Sequence, residues 1–303
     1  MCQTHPGIAV ASLNDYIRLV RPHQFVKNLF VFLPSFFGHR LGDPAALWTA
    51  CLAFAGFCLA GGAVYVFNDL RDVEDDRKHP SKKDRPIASG QVTPGEAVRL
   101  IMILLTGALA VALVVADWRY LAVLFSYLGL NVAYSLGLKH KAIVDVSCIA
   151  VGFVLRIFAG AIAVEVRPSQ WIVLMTFLLA LFLALAKRRD DLVLSQEGQR
   201  MRKALDGYNL EMVSSAMNLM AAVTIVSYIM YTVSPEVAAY YGSRQLYLTT
   251  IWVILGILRY LQVTYVRLKS GSPTKVLLQD RFMQLVVLAW LATFFLVIYV
   301  FGT

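Results

Sequence analysis

The chain reads as long apolar stretches separated by short polar ones. Nine apolar stretches stand out, at 25–38, 45–67, 97–116, 119–138, 142–164, 169–186, 211–233, 246–266 and 282–301. Most run to about 20 residues, the length an α-helix needs to cross a bilayer core of about 30 Å. Short polar gaps such as Asp117-Trp118 and Lys139-His140-Lys141 leave room only for antiparallel helical hairpins. No period-two alternation runs through these stretches, which argues against a β-barrel. The pattern predicts an all-α membrane protein with nine transmembrane helices, a single domain over 1–303. The first stretch is short and interrupted by Pro34.

Composition agrees. Hydrophobic residues make up 58% of the 303 and charged residues 16%, against roughly half and a quarter in soluble domains. No room remains for a soluble domain of ordinary size. The formal net charge is +9, and its distribution gives it meaning. Alternate polar segments, beginning with the N-terminal one, hold 22 of the 28 Lys and Arg, and the opposite side holds 4. This asymmetry predicts a cytoplasmic N-terminus and an external C-terminus. The positive charge is therefore a topology signal first, and nucleic acid is not an expected partner. Cys2, Cys51, Cys58 and Cys148 form no CxxC pair and read as packing residues. The first 24 residues show no signal-peptide pattern.

Two cytoplasmic segments are long, about 68–96 and 187–210. The first opens Asn68-Asp69-Leu70-Arg71-Asp72-Val73-Glu74-Asp75-Asp76. On a continuing helix Asn68, Asp72 and Asp76 form one stripe, i, i+4, i+8. The carboxylates repel one another at a helix C-terminus, where the dipole disfavours anions, and Arg71 and Arg77 offset only part of this. A bound cation resolves the conflict, and oxygen donors of this kind suit Mg²⁺ shared with substrate phosphates. Asn68, Asp69, Asp72 and Asp76 are the candidate metal ligands. Downstream, Lys78, Lys82 and Lys83 read as topology charges. Arg85, boxed in by Pro86 and Gly90, reads as a ligand for phosphate.

The segment Asn68-Asp69-x-x-Asp72-x-x-x-Asp76, with Arg85-Pro86-Ile87-x-x-Gly90 and the upstream Arg21-Pro22-His23-Gln24-Phe25-Val26-Lys27-Asn28, resembles the first aspartate-rich motif region of the UbiA superfamily of intramembrane prenyltransferases. The resemblance covers essentially the whole chain. It implies a UbiA-type helical bundle around a central cavity, with Mg²⁺ bridging a diphosphate to acidic motifs. The family's second aspartate-rich run is absent. In its place stand Lys187-Arg188-Arg189-Asp190-Asp191-Leu192 and later Asp206-Gly207-Tyr208. Together with Tyr134-Ser135-Leu136-Gly137-Leu138-Lys139 and Asp145-Val146, these resemble a distinct branch, the decaprenyl-phosphate phosphoribosyltransferases.

That resemblance implies an Mg²⁺-dependent transfer of 5-phosphoribose from phosphoribosyl diphosphate to a polyprenyl phosphate. Asp72, Asp76 and Asp191 are the expected catalytic residues. Lys27, Asn28, Arg85, Tyr134, Lys139, Asp145, Lys187 and Arg188 are the expected substrate contacts. Lys139, Lys187 and Arg188 are candidates for the lipid phosphate and the ribose 5-phosphate. Arg156, charged within a span, is costly there and calls for a partner or a function. The expected location is a bacterial inner membrane with the active site facing the cytoplasm. A homo-oligomer is compatible with the sequence. The alternative is a UbiA enzyme moving a prenyl chain from its diphosphate to an aromatic acceptor. A transporter fits less well, because the polar motifs lie at span ends rather than at the midplane.

Overall fold

The structure is a computed structural model that describes residues 11–79, 82–196, 207–267 and 273–301. Cys2, His5, Arg200, Arg202, Lys203, Asp206 and Lys269 lie outside the described residues. Among the described residues every regular element is helical. Seven helical stretches are long and apolar enough to cross a membrane: α3 (Pro44–Arg71), α5 (Pro94–Val115), α7 (Val144–Ala163), α8 (Gln170–Gln196), α9 (Leu210–Val233), and two whose ends carry other helical turns. These are α11 (Thr250–Tyr265), preceded by a 3₁₀ turn, and α13 (Arg281–Phe295), followed by a π turn, with the short α10 (Pro235–Tyr241) and α12 (Pro273–Gln279) coming before each in turn.

The two remaining expected spans take other forms. The fourth is α6 (Trp118–Leu136), less apolar because it carries Arg119, Ser126, Asn131 and Ser135. The first is a 3₁₀ helix over Pro22–Phe32 leading into α2 (Leu33–Phe37). A 3₁₀ helix rises about 2.0 Å per residue against about 1.5 Å for an α-helix. The tighter winding therefore stretches a segment that is short in residues.

Local chemistry sets the boundaries. Ser12 and Asp15 form a capping box at α1 (Leu13–Val20), and Thr93 and Glu96 form another at α5, where Pro94 takes the first turn. Asp43, Asn209 and Asp280 accept backbone N–H groups at the starts of α3, α9 and α13. Each satisfies donors that the first helical turn leaves without partners. The stripe at 68–76 is not one continuous helix. α3 ends at Arg71, Asp72 caps it, and the short α4 (Val73–Arg77) follows. Bonds from Asp72 N to Asn68 O (3.0 Å) and from Asp76 N to Asp72 O (2.8 Å) nevertheless keep the i, i+4 spacing. At the other long segment, α8 runs on to Gln196, so 187–196 is helix rather than loop.

The chain forms two compact units, Met1–Leu136 with Leu155–Arg167, and Gly137–Val154 with Pro168–Thr303. In the first, α3 packs against α5, α6 and the 3₁₀ segment, around buried Ala53, Phe57, Ala60 and Tyr120. Small residues let backbones approach where lipid offers no hydrophobic drive between helices. At Gly160 the backbones meet so closely that a Cβ would collide with the carbonyl oxygen of Val31. Gly160→Ala should therefore force the 3₁₀ segment away from α7, at about 1–3 kcal/mol or more. Thermal unfolding in detergent checks this, and an unchanged melting temperature would show that the contact yields freely. In the second unit α8 pairs with α9, and α11 with α13, around Phe182, Met217 and Tyr260.

Candidate functional site

In the first unit the acidic segment divides by direction. Asp69 and Asp76 are 3% exposed, whereas Glu74 and Asp75 face outward. Two buried carboxylates require compensation, and two arginines supply it. Arg21 Nη2 donates to both oxygens of Asp69, at 2.6 and 2.8 Å. Arg85 Nη1 bridges Asp69 Oδ1 (2.9 Å) and Asp76 Oδ2 (2.6 Å). Arg21 is placed by a left-handed backbone turn, φ 57°, between α1 and Pro22, and its guanidinium lies over the Tyr65 ring. The two arginines expected to offset the cluster in part do not reach the buried pair Asp69 and Asp76. Arg77 pairs with Glu74 (2.9 Å), and Arg71 is exposed.

The loop carrying Arg85 is fixed. Ile87 and Ala88 are buried. Arg18 Nη2 donates to Asp84 O (2.9 Å), and Arg77 Nε donates to Ala88 O (3.2 Å). Gly90, at φ 81°, supplies the left-handed turn that a side chain would strain. Asn68 accepts a short hydrogen bond from Ser135 on α6, and its neighbour Tyr134 is half-buried. Asp72, at the junction of α3 and α4, is half-buried.

These residues match a divalent cation in donor type, since Asn68, Asp69, Asp72 and Asp76 offer the hard oxygens that Mg²⁺ prefers. In arrangement they do not form a ready cradle. Among the described residues no group of three or more His, Cys, Asp or Glu side chains stands close enough to hold a metal, and the arginines occupy two of the carboxylates.

Deeper in the same unit, Asn28 is 3% exposed. Its Oδ1 accepts from Arg156 Nε (2.8 Å), and its Nδ2 donates to Cys58 Sγ (3.2 Å). Arg156 Nη2 also donates to Tyr127 Oη (3.0 Å), and its guanidinium lies over that ring at 4.9 Å. Asn28 thus helps to compensate a charge buried on α7, a helix apolar enough to cross a membrane. Lys27 beside it is half-buried.

The second unit gathers another group. Arg188, 2% exposed, donates from Nε to Asp145 Oδ2 (2.5 Å) and from Nη1 to Asp191 Oδ2 (2.7 Å). Tyr208 Oη donates to Asp145 Oδ1 (2.6 Å) and accepts the Ile143 N–H (2.6 Å). Ile143 holds φ 68°, a strained value for a β-branched residue, and the turn aims its N–H at the phenol. Burial, then the hydrogen bond to Asp145, pushes the Tyr208 phenol well above its ordinary range, so it remains a donor. Arg189 lies on the Tyr265 ring at 4.3 Å and donates to Thr264 O (3.1 Å). Lys139 is 7% exposed on the 3₁₀ turn Leu138–His140, and Lys187 is half-buried on α8.

Of the expected residues, the structure brings Asp69, Asp76 and Arg85 together in one unit, and Asp145, Arg188 and Asp191 together in the other. Sequence reasoning quoted Arg21 and Tyr208 within motifs but gave neither a role. Arg21 carried a signal in the uncompensated carboxylates, whereas the pairing of Tyr208 with Asp145 had none.

The family model for the UbiA prenyltransferase family matches residues 28–286. A Mycolicibacterium smegmatis protein named decaprenyl-phosphate phosphoribosyltransferase is 34% identical over 95% of this chain and 93% of its own length. A Corynebacterium glutamicum protein of the same name is 30% identical over 94% and 86%. A UbiA homologue from Archaeoglobus fulgidus, solved bound to GPP and Mg²⁺, shares the fold at TM-score 0.71 and 21% identity, over 94% of this chain and all of that one. Apolar helices and the family agree on an integral membrane protein, and the chain belongs to the UbiA prenyltransferase family.

Proposed function

We propose that this chain transfers 5-phosphoribose from phosphoribosyl diphosphate to a polyprenyl phosphate of the decaprenyl type, giving polyprenyl-phosphoryl 5-phosphoribose and diphosphate. The observation that carries the reading is similarity along 94–95% of the chain to the two enzymes named decaprenyl-phosphate phosphoribosyltransferase. The bond between ribose C1 and the diphosphate oxygen breaks, and diphosphate leaves with the electron pair. A lipid phosphate oxygen bonds to C1. That oxygen is already anionic at neutral pH, so no strong general base is required. The chain must instead hold several anionic groups close together, which calls for cations.

Arg85, Lys27, Lys139 and Lys187 are assigned to phosphate groups, with Arg21 beside the leaving diphosphate. Tyr134 is assigned to the donor side of the site. Asp72 and Asp76, with Asn68 and Asp69 beside them, are the residues that would hold Mg²⁺. When bound, the ion supplies neutralisation of the charge on the leaving diphosphate. Asp191 acts through Arg188. Arg188, Asp145 and Asn28 are assigned as supports, because their polar atoms are already engaged inside the protein. The reading places the N-terminus and active site on the cytoplasmic side of a bacterial inner membrane, where the donor is soluble.

Purified protein with Mg²⁺ should move radiolabel from phosphoribosyl diphosphate to a polyprenyl phosphate and release diphosphate. Inertness towards phosphoribosyl diphosphate, with prenylation of 4-hydroxybenzoate from a prenyl diphosphate, would replace this reading with the aromatic prenyltransferase one.

A further inference from the structure

We propose that Arg21 and Arg85 form a counter-ion latch on the acidic segment, which admits a divalent cation only together with a diphosphate-bearing ligand. The proposal rests on the acidic segment as the metal site and is independent of the acceptor's identity. Three observations carry it.

The first is charge balance. Asp69 and Asp76 are nearly fully buried, and their charges are matched by the two guanidinium groups at 2.6–2.9 Å. A divalent cation arriving alone would add two positive charges beside two existing ones, in a place shielded from water. Repulsion there is screened much less than at a surface. An anion that draws the guanidinium groups onto itself removes the obstacle and frees the carboxylate oxygens in the same movement.

The second is the asymmetry of exposure. The carboxylate side chains are 3% and 5% exposed, whereas those of Arg21 and Arg85 are 24% and 27% exposed. The arginines form the outward face of the cluster, so an incoming anion meets cations first. Guanidinium forks suit bidentate phosphate contacts.

The third is mechanical. The backbone around Arg85 is held by the Arg18–Asp84 and Arg77–Ala88 bonds and by buried Ile87. The Arg85 side chain can therefore exchange partners without the loop moving. Arg21 sits at the end of α1, its N–H bonded to Ile17 O (3.1 Å), and is held in the same way.

Linkage makes the effect reciprocal. Diphosphate raises metal affinity by the factor by which metal raises diphosphate affinity, and such factors are typically about 5–150-fold. The test uses Mn²⁺ as an electron paramagnetic resonance probe on the full-length protein in detergent, with inorganic diphosphate as the anion and a protein-free Mn²⁺–diphosphate mixture as the blank. Wild type should bind Mn²⁺ at least ~10-fold more tightly with diphosphate than without. Arg85→Gln removes a positive charge while keeping a polar side chain. It should tighten binding of Mn²⁺ alone and shrink the diphosphate effect, while Arg85→Lys should preserve that effect in part. Arg21→Gln provides a second variant should Arg85→Gln fail to fold. Tighter binding of Mn²⁺ alone follows from losing any nearby positive charge, so the shrunken diphosphate effect is the readout that a purely structural arginine would not move. Equal Mn²⁺ affinity with and without diphosphate in wild type overturns the latch and leaves the transferase reading standing. Failure of both folded Gln variants to tighten Mn²⁺ binding also overturns it. No Mn²⁺ binding under either condition removes the latch together with the acidic segment as a metal site.

Discussion

Asp76→Asn should lower turnover by about 10²–10³, the loss typical when one preorganised electrostatic contact to a developing charge is removed. The change preserves size and removes the charge. Asp76 is inward-facing and accepts a 2.6 Å bond from Arg85, so the variant disturbs both the carboxylate and the arginine it holds. Asp72→Asn should fall by a similar factor, since Asp72 heads α4 one helical turn before Asp76. Glu74→Gln is the internal comparison. Glu74 is 71% exposed in its side chain and pairs only with a surface arginine, so its loss should cost little. Turnover by a radiolabelled-donor assay at saturating Mg²⁺ decides the matter. A folded Asp76→Asn protein as active as Glu74→Gln would reduce the acidic run to a solvated charge cluster.

Arg188→Met should cost about 3–5 kcal/mol of stability, because removing one partner of a buried pair leaves the other buried and uncompensated. The stranded group is Asp145, whose side chain is 0% exposed. Its remaining partner, Tyr208, offers one hydrogen bond and no charge. Arg188→Lys should rescue only partly, since an ammonium cannot span Asp145 and Asp191 as the guanidinium does. Lys187→Ala, one residue away and half-buried, should affect donor binding more than melting. Thermal unfolding alongside KM for the donor separates the two. A stable Arg188→Met protein with a raised KM would make Arg188 a substrate cation after all.

The helices were largely legible. Runs of about 20 apolar residues, bounded by Asp43, Thr93-Pro94, Asn209 and Asp280, determine most of the long helices through capping that is local in sequence. The 3₁₀ winding of 22–32 was not legible, because apolar content signals burial and not pitch. The end of α8 was misplaced for a related reason. Lys187 to Asp191 look like a loop when charge is taken as the boundary, yet Arg188 and Asp191 lie three apart on a helix and bond each other. The site was legible in its residue types and less so in its partnerships. That Asp69 and Asp76 need cations follows from their number. That the cations come from positions 21 and 85 depends on α1 and the 82–92 loop converging on α3, which no spacing reveals. The basic run at 187–189 illustrates the limit most sharply. Its charges invited assignment to phosphate, and no spacing reveals that Arg188 bonds Asp145, forty-three residues upstream, or that Arg189 lies on the Tyr265 ring.

The 3₁₀ segment carries a consequence for how this region tolerates change in length. With three residues per turn, side chains three apart stand in line, and the buried residues of this segment, Asn28 and Val31, stand at that interval. Inserting three residues would return the buried face to its place one turn on, and inserting four would swing it by a third of a turn. An α-helix at 3.6 residues per turn is more forgiving of four than of three. Length variation among natural homologues that share this winding should therefore come in threes within 22–32.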